Sequence, residues 1–382
     1  MNKGKSVLSA VGLLSMLIFC GCNEPAPQTG SFSTLTVPPM PSPKGYVCYK
    51  VVGEIIPDGR LNEKSWESAP WTDYFADIEG VTKPEPRFRT RAKMLWDSVN
   101  LYIAAHLEEP HLWARLKQRD TVIFYDHDFE VFIDPDGDAH GYYELEVNAL
   151  GTAWDLLLLK PYRDGGPPVN SWDIQGLDIG INLDGSLNDP SDMDSGWTVE
   201  MKLPLSVLKE CAAKSSPPVD GDQWRINFSR VEWRTLISGG SYLKETDPKT
   251  GKSYPEDNWV WSPQGRINMH MPEMWGYVQF SGLVSGSGTE DFKPDIDLPV
   301  KWALRTIYYH QYEYFRQNQK YARNLAELGL TAASFPAGTG LPQMEATARS
   351  FEAWMNGKKT DYPYSIREDG RLSLRAPELP DK

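Results

Sequence analysis

The feature that most constrains the fold is a pair of alternating segments on either side of an acidic turn. Residues 129–134 alternate between two faces with a period of two, and residues 143–148 do so again after the turn. The Asp-Pro-Asp-Gly-Asp between them has the residues that reverse a chain between antiparallel strands. One face of this predicted hairpin is apolar enough to line a core, and the other collects Glu130, Glu144 and Glu146. We therefore expect the functional site on the polar face.

Short segments of the same kind recur, with turn residues between them, from residue 46 to residue 282. This pattern predicts a mainly β protein, and more closely an antiparallel β-sandwich. Within it, residues 235–271 show no clear period and are expected to be irregular. The chain is long enough for two domains, or for one large β domain with an appendage.

A different pattern follows the predicted sandwich. Residues 283–299 are rich in Ser, Gly, Asp and Pro, which is typical of a linker. From Trp302, apolar side chains recur at a spacing of 3.6 residues and predict a helix. A second helix is expected around Phe351 and Trp354, before a hairpin near the C-terminus. Residues 300–382 are thus expected to form a small α+β domain that could meet a protein partner.

The N-terminus has the pattern of an export signal. Two lysines precede an apolar run that is too short to span a bilayer, and small residues lead into Cys22. We expect residues 1–22 to be a lipoprotein signal with Cys22 as the lipidation site; an ordinary secretory peptide is the alternative. Residues 23–45, rich in Pro, Ser and Thr, would then be a flexible tether to the membrane of a bacterial cell envelope, on its periplasmic side or at the cell surface.

Composition narrows the class of partner. The formal net charge is -13, which argues against nucleic acid and against a basic patch on an anionic membrane. Aromatic residues make up 12% of the chain, including 14 Trp, which is high for a soluble protein, and many of them are expected in the core of a β domain. Aromatic rings stack well on the faces of sugars, so some of these residues are expected in a binding site.

Six segments in this order resemble family 9 carbohydrate-binding modules and their exported, DOMON-like relatives. They are residues 58–71, 94–110, 128–155, 196–208, 224–233 and 261–280. The resemblance implies a β-sandwich that binds mono- or oligosaccharides, often beside systems that degrade polysaccharides.

The resemblance also implies a clamp of two aromatic rings around a sugar. The first clamp position falls on Phe124 or Tyr125, where this chain departs from the tryptophan of the family. The second falls on Trp261. The departure leaves the identity of the ligand open.

Polar ligand groups follow from the same resemblance. Glu130 corresponds to a carboxylate of the family, and Asn258 to an amide partner of the second clamp ring. Glu146 stands where the family uses an arginine, and Arg230 is expected to supply the missing guanidinium. Carboxylates that accept sugar hydroxyls and donors from Asn or Arg would complete recognition of a stacked ring.

The acidic turn has two interpretations that the sequence leaves open. Asp134, Asp136 and Asp138 offer the hard oxygen ligands that Ca²⁺ prefers. The spacing does not match an EF-hand loop, however, and a plain polar turn accounts for the same residues. No other cofactor is indicated.

Three functions remain in view. The first is non-catalytic carbohydrate binding in polysaccharide catabolism. The second is hydrolysis of a glycosidic bond by Glu130 and Glu146, which neighbouring strands would bring close together. The third is a structural or assembly role in which residues 300–382 meet a partner and the sugar site is vestigial. We expect the first, because nothing else in the sequence points to a catalytic cleft.

Overall fold

Short strands make up most of the regular structure in the computed structural model, which describes residues 37–212 and 216–375. The strands are, in chain order, β1 (Gly45–Lys50), β2 (Ala76–Asp77), β3 (Thr90–Trp96), β4 (Asn100–Glu108), β5 (Asp128–Asp134), β6 (Tyr142–Asn148), β7 (Ala153–Leu158), β8 (Pro168–Val169), β9 (Asp178–Asp184), β10 (Gly196–Pro204), β11 (Gln223–Glu232), β12 (Thr235–Ser238), β13 (Ser241–Lys244), β14 (Asp257–Val260), β15 (Gly276–Val284), β16 (Gln343–Ala346), β17 (Phe351–Met355), β18 (Tyr364–Arg367) and β19 (Leu372–Leu374).

Helices are few. They are α1 (Lys64–Ser68) and α2 (Leu298–Asn318), with 3-10 turns at Ile123–Tyr125, Tyr162–Asp164, Leu208–Cys211, Pro272–Met274 and Ala332–Ser334. In the part of the chain that the structure describes, none of them combines the length and apolarity that a bilayer crossing requires.

Two layers of strands face each other, and β1 belongs to both. One layer has the order β8-β7-β6-β5-β11-β15, in which β14 also pairs with β11 and β2 pairs with β14. The other layer has the order β3-β4-β10-β9. The first half of β1 pairs with β15 and its last two residues pair with β3. The predicted mainly β sandwich is confirmed. It is not antiparallel throughout, because both pairings of β1 are parallel.

The core lies between the two layers and follows the alternation of the strands. Phe129, Val131 and Ile133 of β5 are all in the core cluster, together with Phe228 of β11 and Trp197 of β10. Burying each such side chain stabilises the fold by roughly 1.5–3 kcal/mol. Because successive side chains alternate, the even-numbered residues of β5 lie on the outer face of their layer.

Two segments differ from the sequence-based expectations. Residues 235–271 are not wholly irregular, because they contain the hairpin β12–β13 and the strand β14, which pairs with β11. The helix expected around Phe351 and Trp354 is wrong: both residues lie on β17, within a four-stranded sheet of β16–β19. Phe351, Ala353 and Met355 are buried and alternate with half-buried residues, which is the period of a strand.

The C-terminal segment packs against the sandwich. Arg163 of the sandwich donates a hydrogen bond from Nε to the hydroxyl of Tyr308 on α2, and the hydroxyl of Tyr309 donates to Glu273. Arg305 of α2 donates to the main-chain oxygen of Asp138. All the described residues belong to one compact unit. A boundary between a sandwich at 46–282 and a separately folding domain at 300–382 stays a prediction, as do the linker, the tether and the signal at 1–22; Cys22 lies outside the described residues.

Candidate functional site

Four buried carboxyl side chains lie close together on the outer face of β5 and β6. They are Asp128, Glu130, Glu144 and Glu146, called here the carboxylate pocket. Glu130 lies directly opposite Glu146 in the strand pairing, and Glu144 is two residues along the same face. None of the four residues is more than 6% exposed. The alternation seen in the sequence therefore places its acidic residues together, as expected, but deeper than a solvated sheet face.

Burial dominates the electrostatics of this pocket. It raises the pKa of Glu130 to about 7. Burial, and then the neighbouring Glu130, raise the pKa values of Glu144, Glu146 and Asp128 well above the ordinary range. Desolvation and like charges both disfavour ionised carboxylates, so these shifts have one direction and reinforce each other. The pocket therefore favours a ligand that either donates hydrogen bonds or brings positive charge.

A cavity of about 460 Å³ lies beside the turn that precedes β5. It is called here the aromatic cavity, and it is lined by Trp113, Arg115, Leu116, Tyr125, Asp126, Leu243 and Lys244. Its volume falls in the range of small-molecule sites. The backbone N–H of Phe124, the neighbour of Tyr125, donates to Glu146 over 2.9 Å. This bond connects the wall of the aromatic cavity to the carboxylate pocket.

The first clamp position lies at this junction. Phe124 and Tyr125 are in the 3-10 turn before β5, and their ring centres are 4.8 Å apart. The Tyr125 ring is 43% exposed, whereas Phe124 packs beside Trp113 and Trp233. Tyr125 is thus the residue of the two that offers a ring to a ligand.

The second clamp prediction is wrong, because Trp261 faces the core. It is 2% exposed, its ring contacts Tyr46 and Phe228, and its neighbour Val260 lies on the outer face instead. Successive side chains along β14 and into Trp261 alternate between the two faces of the sheet, and this alternation directs Trp261 toward the core. Asn258, three residues earlier, has the opposite parity and lies opposite Val231 on the outer face, as the prediction requires.

Arg230 also faces away from the carboxylate pocket. In the strand pairing it lies opposite Phe129, a core residue, and not opposite Glu130. Its guanidinium forms ion pairs with Glu109 and Glu232, at 2.8 and 2.9 Å. The prediction that Arg230 supplies a guanidinium to the sugar site is therefore wrong, because its donors are used in this buried network.

The acidic turn is held by its own backbone and by the C-terminal segment. Asp134 accepts hydrogen bonds from the backbone N–H groups of Gly137 and Ala139. Asp138 accepts a hydrogen bond of 2.6 Å from Nε of Arg371. Asp134, Asp136 and Asp138 do bring oxygen atoms together, so the expected calcium site stays a prediction. Arg371 nevertheless supplies a positive charge that a cation would otherwise provide.

Several residues of the site carry no sequence signal. Lys244 lies on β13 with its Nζ 3.1 Å from the centre of the Trp233 ring, and burial lowers its pKa to about 8. Trp154 of β7 lies opposite Glu146, on the same face. Tyr162 is close enough to Glu144 and Glu146 for their charge to raise its pKa further after burial has done so. Only the aromatic content of the chain pointed to such side chains.

Comparisons with known proteins bear on the sandwich. Residues 56–220 match the model of the family described as carbohydrate family 9 binding domain-like. No curated protein matches the chain. The expected resemblance to family 9 carbohydrate-binding modules is thereby confirmed for this part of the chain.

Solved structures show a weaker likeness. A family 9 carbohydrate-binding module from Caldicellulosiruptor kristjanssonii in complex with cellotriose has a TM-score of 0.41 and 16% identity, over 66% of this chain and 100% of the module. The same kind of module in complex with glucose gives 0.40 and 16%, over 66% and 100%. A Bacteroides uniformis protein, provisionally assigned to carbohydrate binding, gives 0.46 and 19%, over 63% and 100%. Likeness at this level carries no information on the site.

Proposed function

We propose that this protein, with the family 9-like domain of residues 56–220, binds a saccharide without cleaving it. The ligand would occupy the aromatic cavity and reach the carboxylate pocket. The observation that carries the proposal is the junction of the two features on one sheet face. Buried carboxylates that receive few hydrogen bonds from the protein lie beside an exposed aromatic ring.

The chemistry of the junction suits a sugar. The exposed ring of Tyr125 offers a face for the C–H side of a pyranose. Sugar hydroxyls are donors, and the oxygens of Glu130 and Glu146 are acceptors whose desolvation has already occurred on folding. Asn258 adds an amide on the same face. Stacking supplies affinity, and the hydroxyl contacts supply specificity.

Hydrolysis is supported less well than binding. Glu130 and Glu146 lie opposite each other, with oxygen atoms within 4.8 Å, near the separation of about 5 Å that retaining glycosidases use. That mechanism needs one ionised nucleophile and one protonated acid. Burial raises the pKa of both residues, to about 7 for Glu130 and well above the ordinary range for Glu146. Burial therefore disfavours the ionised form that a nucleophile needs, whichever of the two residues served in that role.

The cellular setting is also part of the proposal. Lipidation of Cys22 would anchor the protein in a bacterial cell envelope, and the site would then hold saccharides for polysaccharide catabolism. The pattern of the first 22 residues supports the anchor. A role for residues 300–382 in meeting a protein partner remains a separate proposal.

Isothermal titration of the full-length protein with glucose, cellotriose and a panel of other mono- and oligosaccharides tests the binding proposal. Tyr125→Ala should weaken the binding of a saccharide that binds the unchanged protein by about fivefold or more, since loss of a stacked ring removes about 1–2 kcal/mol. Tyr74 provides a matched control, because it is 49% exposed and contacts Arg89 and Arg91 beside β3 instead.

Equal loss of affinity in Tyr125→Ala and Tyr74→Ala would contradict the location of the site. The absence of heat with every saccharide, from protein that circular dichroism shows to be folded, would contradict the function. Release of reducing sugar during the same incubations would instead support the hydrolase alternative.

A further inference from the structure

The floor of the carboxylate pocket brings three oxygen atoms into one small volume. Asp128, Glu130 and Glu146 each contribute one, and all three lie within 4.8 Å of one another. The three side chains come from adjacent strands of a sheet, so their spacing is fixed by main-chain pairing. Glu144 lies on the same face and adds a fourth carboxyl group nearby.

This cluster differs from the other acidic clusters of the described residues in having no arginine. Three other groups, one of which includes His127, also have ligand atoms within 4.8 Å of one another. In each of them an arginine makes an ion pair: Arg119 with Asp155, Arg230 with Glu109 and Glu232, and Arg371 with Asp138. Within residues 37–212 and 216–375, no such ion pair forms with Asp128, Glu130, Glu144 or Glu146. Lys244 acts on Asp128 only at a distance, since its Nζ lies over the Trp233 ring.

One oxygen of the cluster also has no hydrogen-bond donor. Asp128 is completely buried; its Oδ1 accepts a hydrogen bond from the N–H of Val231, but its Oδ2 has no partner among the described residues. A buried oxygen without a partner is costly, and it is the oxygen of an acid that lies against two other acids. The fold therefore leaves a position that a ligand, rather than the protein, completes.

The donor atoms of the cluster favour a hard divalent cation. Oxygen ligands of Ca²⁺ lie at about 2.3–2.6 Å from the ion, so two of them can be separated by up to about 5 Å. The three oxygens lie within 4.8 Å of one another, so one Ca²⁺ ion could contact all of them. All three donors are carboxylate oxygens, which Ca²⁺ prefers, whereas zinc prefers nitrogen and sulfur ligands.

We propose that Asp128, Glu130 and Glu146 bind a hard divalent cation such as Ca²⁺ at the floor of the carboxylate pocket. The sheet supplies three carboxylate ligands to the ion, and the coordination positions on the side away from the sheet are left for other ligands. If the proposed saccharide binding also holds, which is a separate premise, two neighbouring hydroxyls of the sugar would fill those positions. This cation site is distinct from the acidic turn at Asp134.

Calcium titration of the full-length protein, after treatment with a chelator, tests the site. Isothermal titration should detect a binding event with calcium chloride, and Asp128→Asn and Glu130→Gln should each weaken it by about tenfold or more. Asp136→Asn, in the acidic turn, should leave this event unchanged. The melting temperature should rise with calcium in the unchanged protein and in Asp136→Asn, and should rise less in the two pocket variants.

Two results would overturn the cation site. One is the absence of calcium binding by protein that circular dichroism shows to be folded. The other is binding that Asp136→Asn removes and that Asp128→Asn and Glu130→Gln leave intact. Saccharide titrations with and without calcium separate this inference from the proposed function. Calcium binding without a saccharide response contradicts only the function, whereas saccharide binding by protein that binds no calcium contradicts only the cation site.

Discussion

Loss of the ion pair between Arg163 and Glu273 should lower the free energy of unfolding by an amount that two separate arguments give. Both side chains are at most 4% exposed, and the guanidinium contacts both oxygens of Glu273, at 2.8 and 3.0 Å. Glu273 also accepts a hydrogen bond from Tyr309 of α2. Removing one member of a buried pair costs about 3–5 kcal/mol, because the other charge stays buried.

The pKa of Glu273 gives a similar figure. Burial is the largest single influence and raises this pKa, but Arg163, Arg305 and the hydrogen bond from Tyr309 together outweigh it and lower the pKa from 4.5 to about 2. Each pKa unit corresponds to about 1.4 kcal/mol, so the ionised form gains roughly 3 kcal/mol from its surroundings in the folded protein. Arg163 keeps its contact with the hydroxyl of Tyr308 when Glu273 is removed. We therefore expect the lower end of the range, about 3 kcal/mol, for Glu273→Gln.

Urea denaturation of the full-length protein, followed by tryptophan fluorescence, measures this loss. Glu313→Gln on α2 is the matched control, because Glu313 pairs with Arg316 at the surface and should change the free energy of unfolding by less than about 0.5 kcal/mol. A loss below about 1 kcal/mol for Glu273→Gln would refute the reasoning. A separate early transition that alone shifts would show that residues 300–382 unfold as their own domain.

Three further outcomes are expected. Trp261→Ala should lower the free energy of unfolding by about 3–5 kcal/mol in urea titrations, and should leave the saccharide affinity of the folded protein unchanged, because its ring lies in the core. Gly276→Ala should destabilise the protein by about 1–3 kcal/mol in the same assay, since a Cβ there would lie 2.5 Å from the Trp261 ring. Because the pKa of Glu273 is lowered on folding, its contribution to the free energy of unfolding is present above pH 4.5 and is lost as the pH falls toward 2. Urea midpoints measured from pH 2.5 to 7 should therefore fall more steeply with acid for the unchanged protein than for Glu273→Gln.

The local period of two was enough to predict much of the sheet. It gave the inward direction of Phe129 and the outward direction of Glu130 and Glu146, because alternation within a strand needs no knowledge of the partner strands. The same rule fails at β17, where Phe351 and Trp354 lie in a segment too short for period two to be distinguished from a helix. The fold class was therefore predictable, and the type of one short element was not.

The site was less predictable, because it depends on pairing between distant strands. The residues next to Trp261 and Arg230 lie on the outer face, but Trp261 and Arg230 themselves face the core. The register of β14 and β11 decides which residues face which side. The arginine that pairs with Asp138 comes from the C-terminal segment, which no local pattern could relate to the acidic turn. Lys244 and Tyr125 meet only because the β12–β13 hairpin folds back toward the turn before β5.

The strand that belongs to both layers has a consequence for how the chain reaches its native state. Gly45 of β1 pairs with Tyr277 of β15, so the two layers are joined only when the opposite ends of the sandwich sequence meet. Such long-range pairing slows folding, because loop closure must precede the contacts that reward it. A chain growing from its N-terminus cannot close this sandwich until β15 has been synthesised. The sandwich would therefore remain incomplete during synthesis, and residues 298–318 could dock only afterwards.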